Sequence, residues 1–181
     1  MKWWLRDIAI TAIIAVMIFL GLQFTVQSYI ITQTCMEPNF HEGQRLLVNK
    51  VVYKFHEPER GDVIILKPPQ PYDSEAIPFI KRIVALPGET VEVKNGEVYI
   101  NGVKLSEPYI KEPPHYTLKR ELNNNEYFVL GDNRNNANDS HTGWTLPREN
   151  IIGKAWLSTW PPTEWGLAAN YSFRNTVSGA E

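Results

Sequence analysis

Val91-Glu92-Val93-Lys94-Asn95-Gly96-Glu97-Val98-Tyr99-Ile100-Asn101-Gly102 alternates apolar and polar side chains and breaks at Asn-Gly. Alternation with a period of two marks a strand with one buried face, and Asn-Gly between two such runs is the strongest short-range signal for an antiparallel hairpin, because both residues tolerate the positive φ of a tight turn. Working outward, Phe79-Ile80-Lys81-Arg82-Ile83-Val84-Ala85-Leu86 reads as a strand stopped by Pro87-Gly88, and Gly61-Asp62-Val63-Ile64-Ile65-Leu66 as another that ends at Pro68-Pro69. Arg45-Leu46-Leu47-Val48-Asn49-Lys50-Val51-Val52-Tyr53 predicts one or two strands, and residues 151–160 return to the same pattern. Residues 67–78 and 107–125 are rich in Pro, Asn and charge and read as surface excursions. The fold class expected is mainly β, an antiparallel domain.

The one helical stretch of comparable length lies at the N-terminus. Residues 8–24 carry no ionised side chain, and about 17 residues is the short end of a bilayer span. Trp3 and Trp4 precede it as candidate interface anchors, Lys2 and Arg6 put positive charge before it, and the next basic residue is Arg45. The positive-inside rule then keeps the N-terminus cytoplasmic and exports the rest. A cleavable secretory signal fits the basic start and apolar core too, but no small-x-small site follows in Gly21-Leu22-Gln23-Phe24-Thr25-Val26-Gln27. A lipoprotein reading of Cys35 is weaker, because Thr32 and Thr34 replace the aliphatic and small residues of such a site. The expected organisation is a cytoplasmic start (1–7), a membrane anchor (8–24), a β-rich extracytoplasmic domain (25–165) and a tail (166–181) whose last dozen residues look frayed. Trp160 and Trp165 suit either a headgroup-level surface or the core and its rim. With 18 basic and 20 acidic residues, nothing suggests nucleic acid.

The chain has a single cysteine, in Thr34-Cys35-Met36-Glu37-Pro38. A lone thiol in an exported domain forms no internal disulfide, so it is a buried filler or a free reactive thiol. Pro38 biases its neighbour towards an extended form, which puts Cys35 at a strand-to-turn transition. Lys81 interrupts an otherwise apolar strand, and alternation sends Lys81 and Arg82 to opposite faces, so one basic group points inward. A lysine stripped of hydration becomes a base near neutrality, whereas a lysine on an edge strand is commonly a solvated guard against aggregation. A third segment, Gly131-Asp132-Asn133-Arg134-Asn135-Asn136-Ala137-Asn138-Asp139-Ser140-His141-Thr142-Gly143-Trp144, is too polar for a core strand and too patterned for a linker. Its resemblance to a calcium loop fails at Arg134, where an oxygen ligand is required.

Cys35-Met36-Glu37-Pro38, Gly61-Asp62-Val63-Ile64-Ile65, Lys81-Arg82-Ile83-Val84-Ala85-Leu86-Pro87-Gly88-Glu89, and Gly131-Asp132-Asn133-Arg134 with Asp139-Ser140 together resemble the ordered motifs of bacterial type I signal peptidases. The resemblance covers residues 8–165. It implies a membrane-tethered Ser-Lys dyad endopeptidase that removes signal peptides from exported preproteins on the outer side, with a β-rich domain whose surface near the active site approaches the lipid bilayer. It also implies a monomer near the export machinery. Lys81 matches the general base, and Cys35 falls where the family has its nucleophilic serine.

A thiol is closer to ionising than a hydroxyl, and its attack gives a thioester. The intermediate must then expel an amine rather than thiolate, so protonation by Lys81 becomes decisive, and a slower enzyme is expected if the site was built for serine. Ala137 stands where many members have a serine that hydrogen-bonds the lysine, and His141 replaces a frequent arginine, leaving Asp139 to pair with Arg134 or His141. Asp132 and Arg134 belong to the same supporting motif. Gln33 replaces a small or hydroxyl residue of the oxyanion site, so the Cys35 amide has more to do, with the Gln33 or Thr34 side chains as helpers. The pockets for small residues before the cut fall by position on Tyr29, Ile31, Met36, Phe40, Phe79 and Ile80, each equally suited to ordinary core. The self-cleaving repressors share the dyad but carry a DNA-binding segment in place of the anchor. The remaining rival is an anchored module that binds exported chains without cutting them; against it, a dead site gains nothing from a buried lysine. No metal or organic cofactor is indicated, since His41, His56, His115 and His141 lack ligand spacing.

Overall fold

The computed structural model describes residues 2–72, 77–171 and 173. Helix α1 (Lys2–Thr25) is about 36 Å long at 1.5 Å per residue. Its stretch Arg6–Thr25, of mean hydropathy 2.3 and with none of its apolar window buried against the domain, is long and apolar enough to cross a membrane. Strand β1 (Val26–Ile30) leads from it into the β domain.

The strands that follow are β2 (Arg45–Asn49), β3 (Val63–Leu66), β4 (Phe79–Ala85), β5 (Thr90–Lys94), β6 (Glu97–Ile100), β7 (Val103–Lys104), β8 (Leu118–Glu121), β9 (Glu126–Leu130), β10 (Leu146–Pro147), β11 (Ile151–Trp160) and β12 (Gly166–Leu167). They form two sheets, and every pairing is antiparallel: one ordered β1-β2-β11-β3-β4-β9-β10 with β12 on β11, the other β7-β6-β5-β8. The mainly β, antiparallel expectation holds. Asn95-Gly96, at φ 53° and 76°, turns β5 into β6, and Asn101-Gly102, at 50° and 83°, turns β6 into β7. Register shifts along β11 let the larger sheet curl. A Cβ on Gly153 would sit 2.4 Å from Asn49 O, so β11 passes from β2 to β3 only as glycine.

Two expectations need correction. The run from Arg45 does not continue as strand through Tyr53: the Asn49 side chain accepts from the amides of Val51 and Val52 at 3.0 Å each, ending β2 and starting a 3₁₀ turn at Val52–Lys54. Residues 107–125 are only partly a surface excursion. They contain β8, which completes the open edge of β5, and they bury Tyr109 and Leu122. The described part of residues 67–78 before β4 is loop. Of the last dozen residues, Asn170, Tyr171 and Phe173 are described and the others lie outside the described residues. Asn170 is held: its Oδ1 accepts from Val63 N at 2.8 Å and its Nδ2 donates to Ala155 O at 3.1 Å.

Strand β4 joins three apolar clusters. Ile80 packs with Cys35, Met36 and Phe40; Val84 and Ala85 pack with the inner face of the smaller sheet; Ile83 packs with Val129, Trp144 and Leu146 on the opposite side. A strand buried on both faces is rigidly placed, and Lys81 sits in its middle, opposite Ile64 of β3.

Candidate active site

Cys35 opens the turn that follows β1. Glu37 N donates to Thr34 O at 3.2 Å, and Asn39 N and Phe40 N both donate to Met36 O, at 3.1 and 3.0 Å. This winding faces the thiol towards β4. The Lys81 amine lies 3.0 Å from Cys35 Sγ and 3.1 Å from Ile80 O, with its Nζ 5.0 Å from the centre of the Phe79 ring. Lys81 is fully buried, and neither of its hydrogen-bond partners among the described residues is a carboxylate. Sγ also approaches Ile80 O at 3.5 Å and Gln33 Oε1 at 3.7 Å. Sulfur and amine are thus placed to exchange a proton directly, in a site from which bulk water is excluded on the β4 side.

The polar segment 131–144 holds this arrangement from the other side. Asn133 N donates to Cys35 O at 3.0 Å, Asn133 Nδ2 to Thr34 O at 3.3 Å, and Asn136 Nδ2 to Thr34 Oγ1 at 3.4 Å. A Cβ on Gly131 would fall 2.5 Å from Cys35 O and 2.7 Å from the Ala137 methyl. Gly131→Ala is therefore expected to push the Cys35 backbone off the lysine; since a displacement of about 1 Å in a reacting group costs on the order of 10²-fold, the loss should appear in kcat/KM while the domain stays folded by circular dichroism.

The segment is polar and yet buried because its charges are paired. Arg82 donates to Asp132 from Nε at 2.8 Å and from Nη2 at 2.7 Å, and Asn39 Nδ2 adds a bond to Asp132 Oδ2 at 2.8 Å. Arg134 grips Glu107 in the same two-pronged way, at 2.8 and 2.5 Å. Burial alone would lower the Arg134 pKa, but the Glu107 carboxylate outweighs it and holds it above its usual value. The Tyr109 ring stacks between the two guanidiniums, 4.3 Å from Arg82 and 5.9 Å from Arg134. Burial, reinforced by Glu107, drives its phenol well above the ordinary range. Asp139 accepts from Gly131 N at 2.8 Å, from His141 N at 3.0 Å and contacts His141 Nδ1 at 2.7 Å, so its partner is His141 and not Arg134.

Tyr116 stacks on His141 at 4.4 Å, and among the described side chains its hydroxyl is the only buried polar atom without a hydrogen bond. An unsatisfied buried hydroxyl costs free energy, so Tyr116→Phe is expected to stabilise the domain by on the order of 1 kcal/mol, seen as a higher thermal midpoint, without loss of activity. Burial, then the Asp139 charge, hold the Tyr116 phenol above its usual pKa. By linkage the parent keeps its full stability below the unfolded value near 10 and loses it as the pH rises through the raised folded value; the gain from Tyr116→Phe should therefore widen in alkaline solution.

A model of the family described as signal peptidase, peptidase S26, matches residues 2–160. The chain belongs to this family. It is 45% identical over 167 residues to the probable signal peptidase I-1 of Synechocystis, spanning 88% of this chain and 85% of that protein. It is 42% identical over 161 residues to the signal peptidase I of Leptolyngbya laminosa, spanning 84% and 78%. A crystal structure of a signal peptidase I from Enterococcus faecalis aligns at 30% identity with a TM-score of 0.48, covering 55% of this chain and 97% of that one. As a member of the signal peptidase family the chain is a peptidase, a hydrolase; the matched span takes in α1, Cys35, Lys81 and the polar segment.

In this signal peptidase fold, Tyr29, Ile31, Gln33 and Ile80 line a narrow groove next to Cys35, together with Ile65 and Pro78. Met36 and Phe40 are fully buried in the cluster behind Cys35, and Phe79 is half-buried beside the Lys81 amine. A second, wider cleft opens on the other side of the thiol. Asp132, Arg134 and Asp139 all lie in the supporting network rather than against the sulfur. The alternation argument anticipated one inward-facing basic residue on β4, whereas both Lys81 and Arg82 are buried, on opposite faces. The sequence does not mark Glu107, Asn39, Gly131 and Asn133 as supporting groups. Glu107 sits in a charged loop with no pattern to mark it, and the roles of Asn39 and Asn133 depend on contacts distant in sequence.

Proposed function

We propose that this peptidase removes N-terminal signal peptides from exported preproteins, cutting after small-x-small sites, with Cys35 as nucleophile and Lys81 as general base. The observation that carries the reading is the 3.0 Å contact between Lys81 Nζ and Cys35 Sγ inside a signal peptidase chain. Neither described hydrogen-bond partner of Lys81 is a carboxylate, and an amine buried in this way is suited to act as the base. It takes the thiol proton, and the thiolate attacks the carbonyl carbon of the scissile bond. The Cys35 N–H, which has no acceptor among the described residues, is free to donate to the developing oxyanion. Lys81 then protonates the departing amine, leaving the signal peptide as a thioester on Cys35, and the same lysine activates the water that releases it.

The substrate would lie extended in the groove edged by Tyr29, Ile31 and Ile80, which suits small side chains before the cut. α1 anchors the domain in the plasma membrane with its N-terminus cytoplasmic, as Lys2 and Arg6 favour. Trp156, Trp160, Trp165 and Leu167 are exposed together on β11, β12 and the turn between them, an apolar surface suited to the headgroup layer. The test is cleavage of a signal-bearing preprotein in liposomes by this chain and by Cys35→Ala, with the new N-terminus sequenced. Cutting after the small-x-small site by the parent alone supports the reading; equal absence of cutting in both sinks it and points to a binding module.

A further inference from the structure

We propose that the thiol makes this site an acyl-transfer site as well: the signal-peptide acyl group carried on Cys35 passes to a primary amine, such as the amino group of a short peptide, in preference to water. The inference rests on the dyad assigned above. From one tetrahedral intermediate a thiolate, the conjugate base of an acid near 8.5, leaves far more readily than a nitrogen that has not been protonated. Acylation of Cys35 by a peptide bond therefore works against this partition and needs Lys81 to protonate the amine. Attack of an amine on the Cys35 thioester works with it: once the amine has added, collapse expels thiolate and forms the amide. A serine oxygen is a poorer leaving group than a thiolate, so the bias towards transfer is stronger with this chain's cysteine.

The surroundings of Cys35 suit an amine acceptor. The wider cleft is walled by Thr32, Thr34, Asn136, Asn138 and Thr142, which offer neutral oxygens to an amino group, and Glu42 is the one acidic residue on its lining. Ala137 presents a methyl group there, and Lys81 has no hydroxyl among its described partners. A water molecule entering to hydrolyse the thioester depends on Lys81, the amine beside the sulfur, as its base, while an amine brings its own nucleophilicity. The step balances without an oxidant or cofactor: the C–S bond of R–CO–S–Cys35 breaks, a C–N bond forms to give R–CO–NH–R′, and the proton shed by nitrogen passes through Lys81 Nζ to Sγ.

The test supplies a signal-peptide fragment as a thioester ending in Ala-x-Ala to the full-length protein in detergent, with glycinamide as acceptor, and measures amide and free acid by mass spectrometry. The parent should give an amide-to-acid ratio at least roughly tenfold above that of Cys35→Ser, over the uncatalysed background set by Cys35→Ala. Equal ratios in the parent and Cys35→Ser, or amide formation no faster than with Cys35→Ala, would overturn the proposal. A thioester donor bypasses the cutting of a peptide bond, so transfer without preprotein cleavage would sink the signal-peptide reading and leave the transfer intact.

Discussion

Lys81→Met should lower kcat/KM for preprotein cleavage by at least about 10³-fold, because the proposed mechanism uses this one side chain as base in acylation, acid in amine departure and base in deacylation. Methionine keeps the length and apolar stem of lysine, so the packing against Phe79 and Ile80 survives. Replacing a buried amine by a thioether removes a polar group from an apolar site, and the folded domain should be as stable as the parent or more so. That combination separates a catalytic lysine from a structural one. A structural lysine would show the opposite, a lower unfolding midpoint with activity kept in the folded fraction. Retention of most activity in Lys81→Met would remove Lys81 from the mechanism.

Arg82→Met, one residue along the same strand, should behave in the reverse way. The guanidinium satisfies both oxygens of Asp132 and donates to Gly61 O and Ala169 O at 2.8 Å each. Both partners of the ion pair are fully buried. Removing the cation leaves Asp132 with Asn39 as its one partner among the described side chains, and breaking a buried pair from one side costs about 3–5 kcal/mol. Urea denaturation should show a loss of that order. A double change of Arg82 and Asp132 to apolar residues should recover part of it, since the uncompensated carboxylate, rather than the absent attraction, supplies most of the penalty. A loss below about 1 kcal/mol, the range of a surface ion pair, would mean that the pair does not hold the polar segment against β4.

The contrast between these neighbouring residues shows what was legible in the sequence. Alternation over Val91 to Ile100 and the Asn-Gly turns specified a hairpin locally, because side-chain period and turn chemistry are properties of adjacent residues. The same is true of the apolar run in α1. The end of β2 was missed because the Asn49 side chain captured the next two amides, a local competition that a β-rich composition at Val51 and Val52 conceals. In the site, Lys81 stood out because a charge interrupts an apolar strand, and Cys35 because it is the only thiol. Sequence alone does not decide between Arg134 and His141 as the partner of Asp139, because the choice depends on Glu107, twenty-seven residues before Arg134, which claims both of its terminal nitrogens. Pairing of β8 and burial of Tyr109 within a segment rich in Pro and charge have the same origin: strand completion and cation-π contacts are made by tertiary neighbours.

The most direct test of the account is the mass of the protein itself during turnover. Mixing the full-length chain with a signal-bearing preprotein, quenching in acid and measuring the intact mass should reveal a population heavier by the signal peptide, with the adduct mapped to Cys35 and released by hydroxylamine, as a thioester requires. The adduct should be absent from Cys35→Ala and should accumulate only slowly in Lys81→Met. Cleavage that proceeds at the parent's rate in Cys35→Ala, with no adduct on the parent, would contradict the covalent thiol-lysine mechanism.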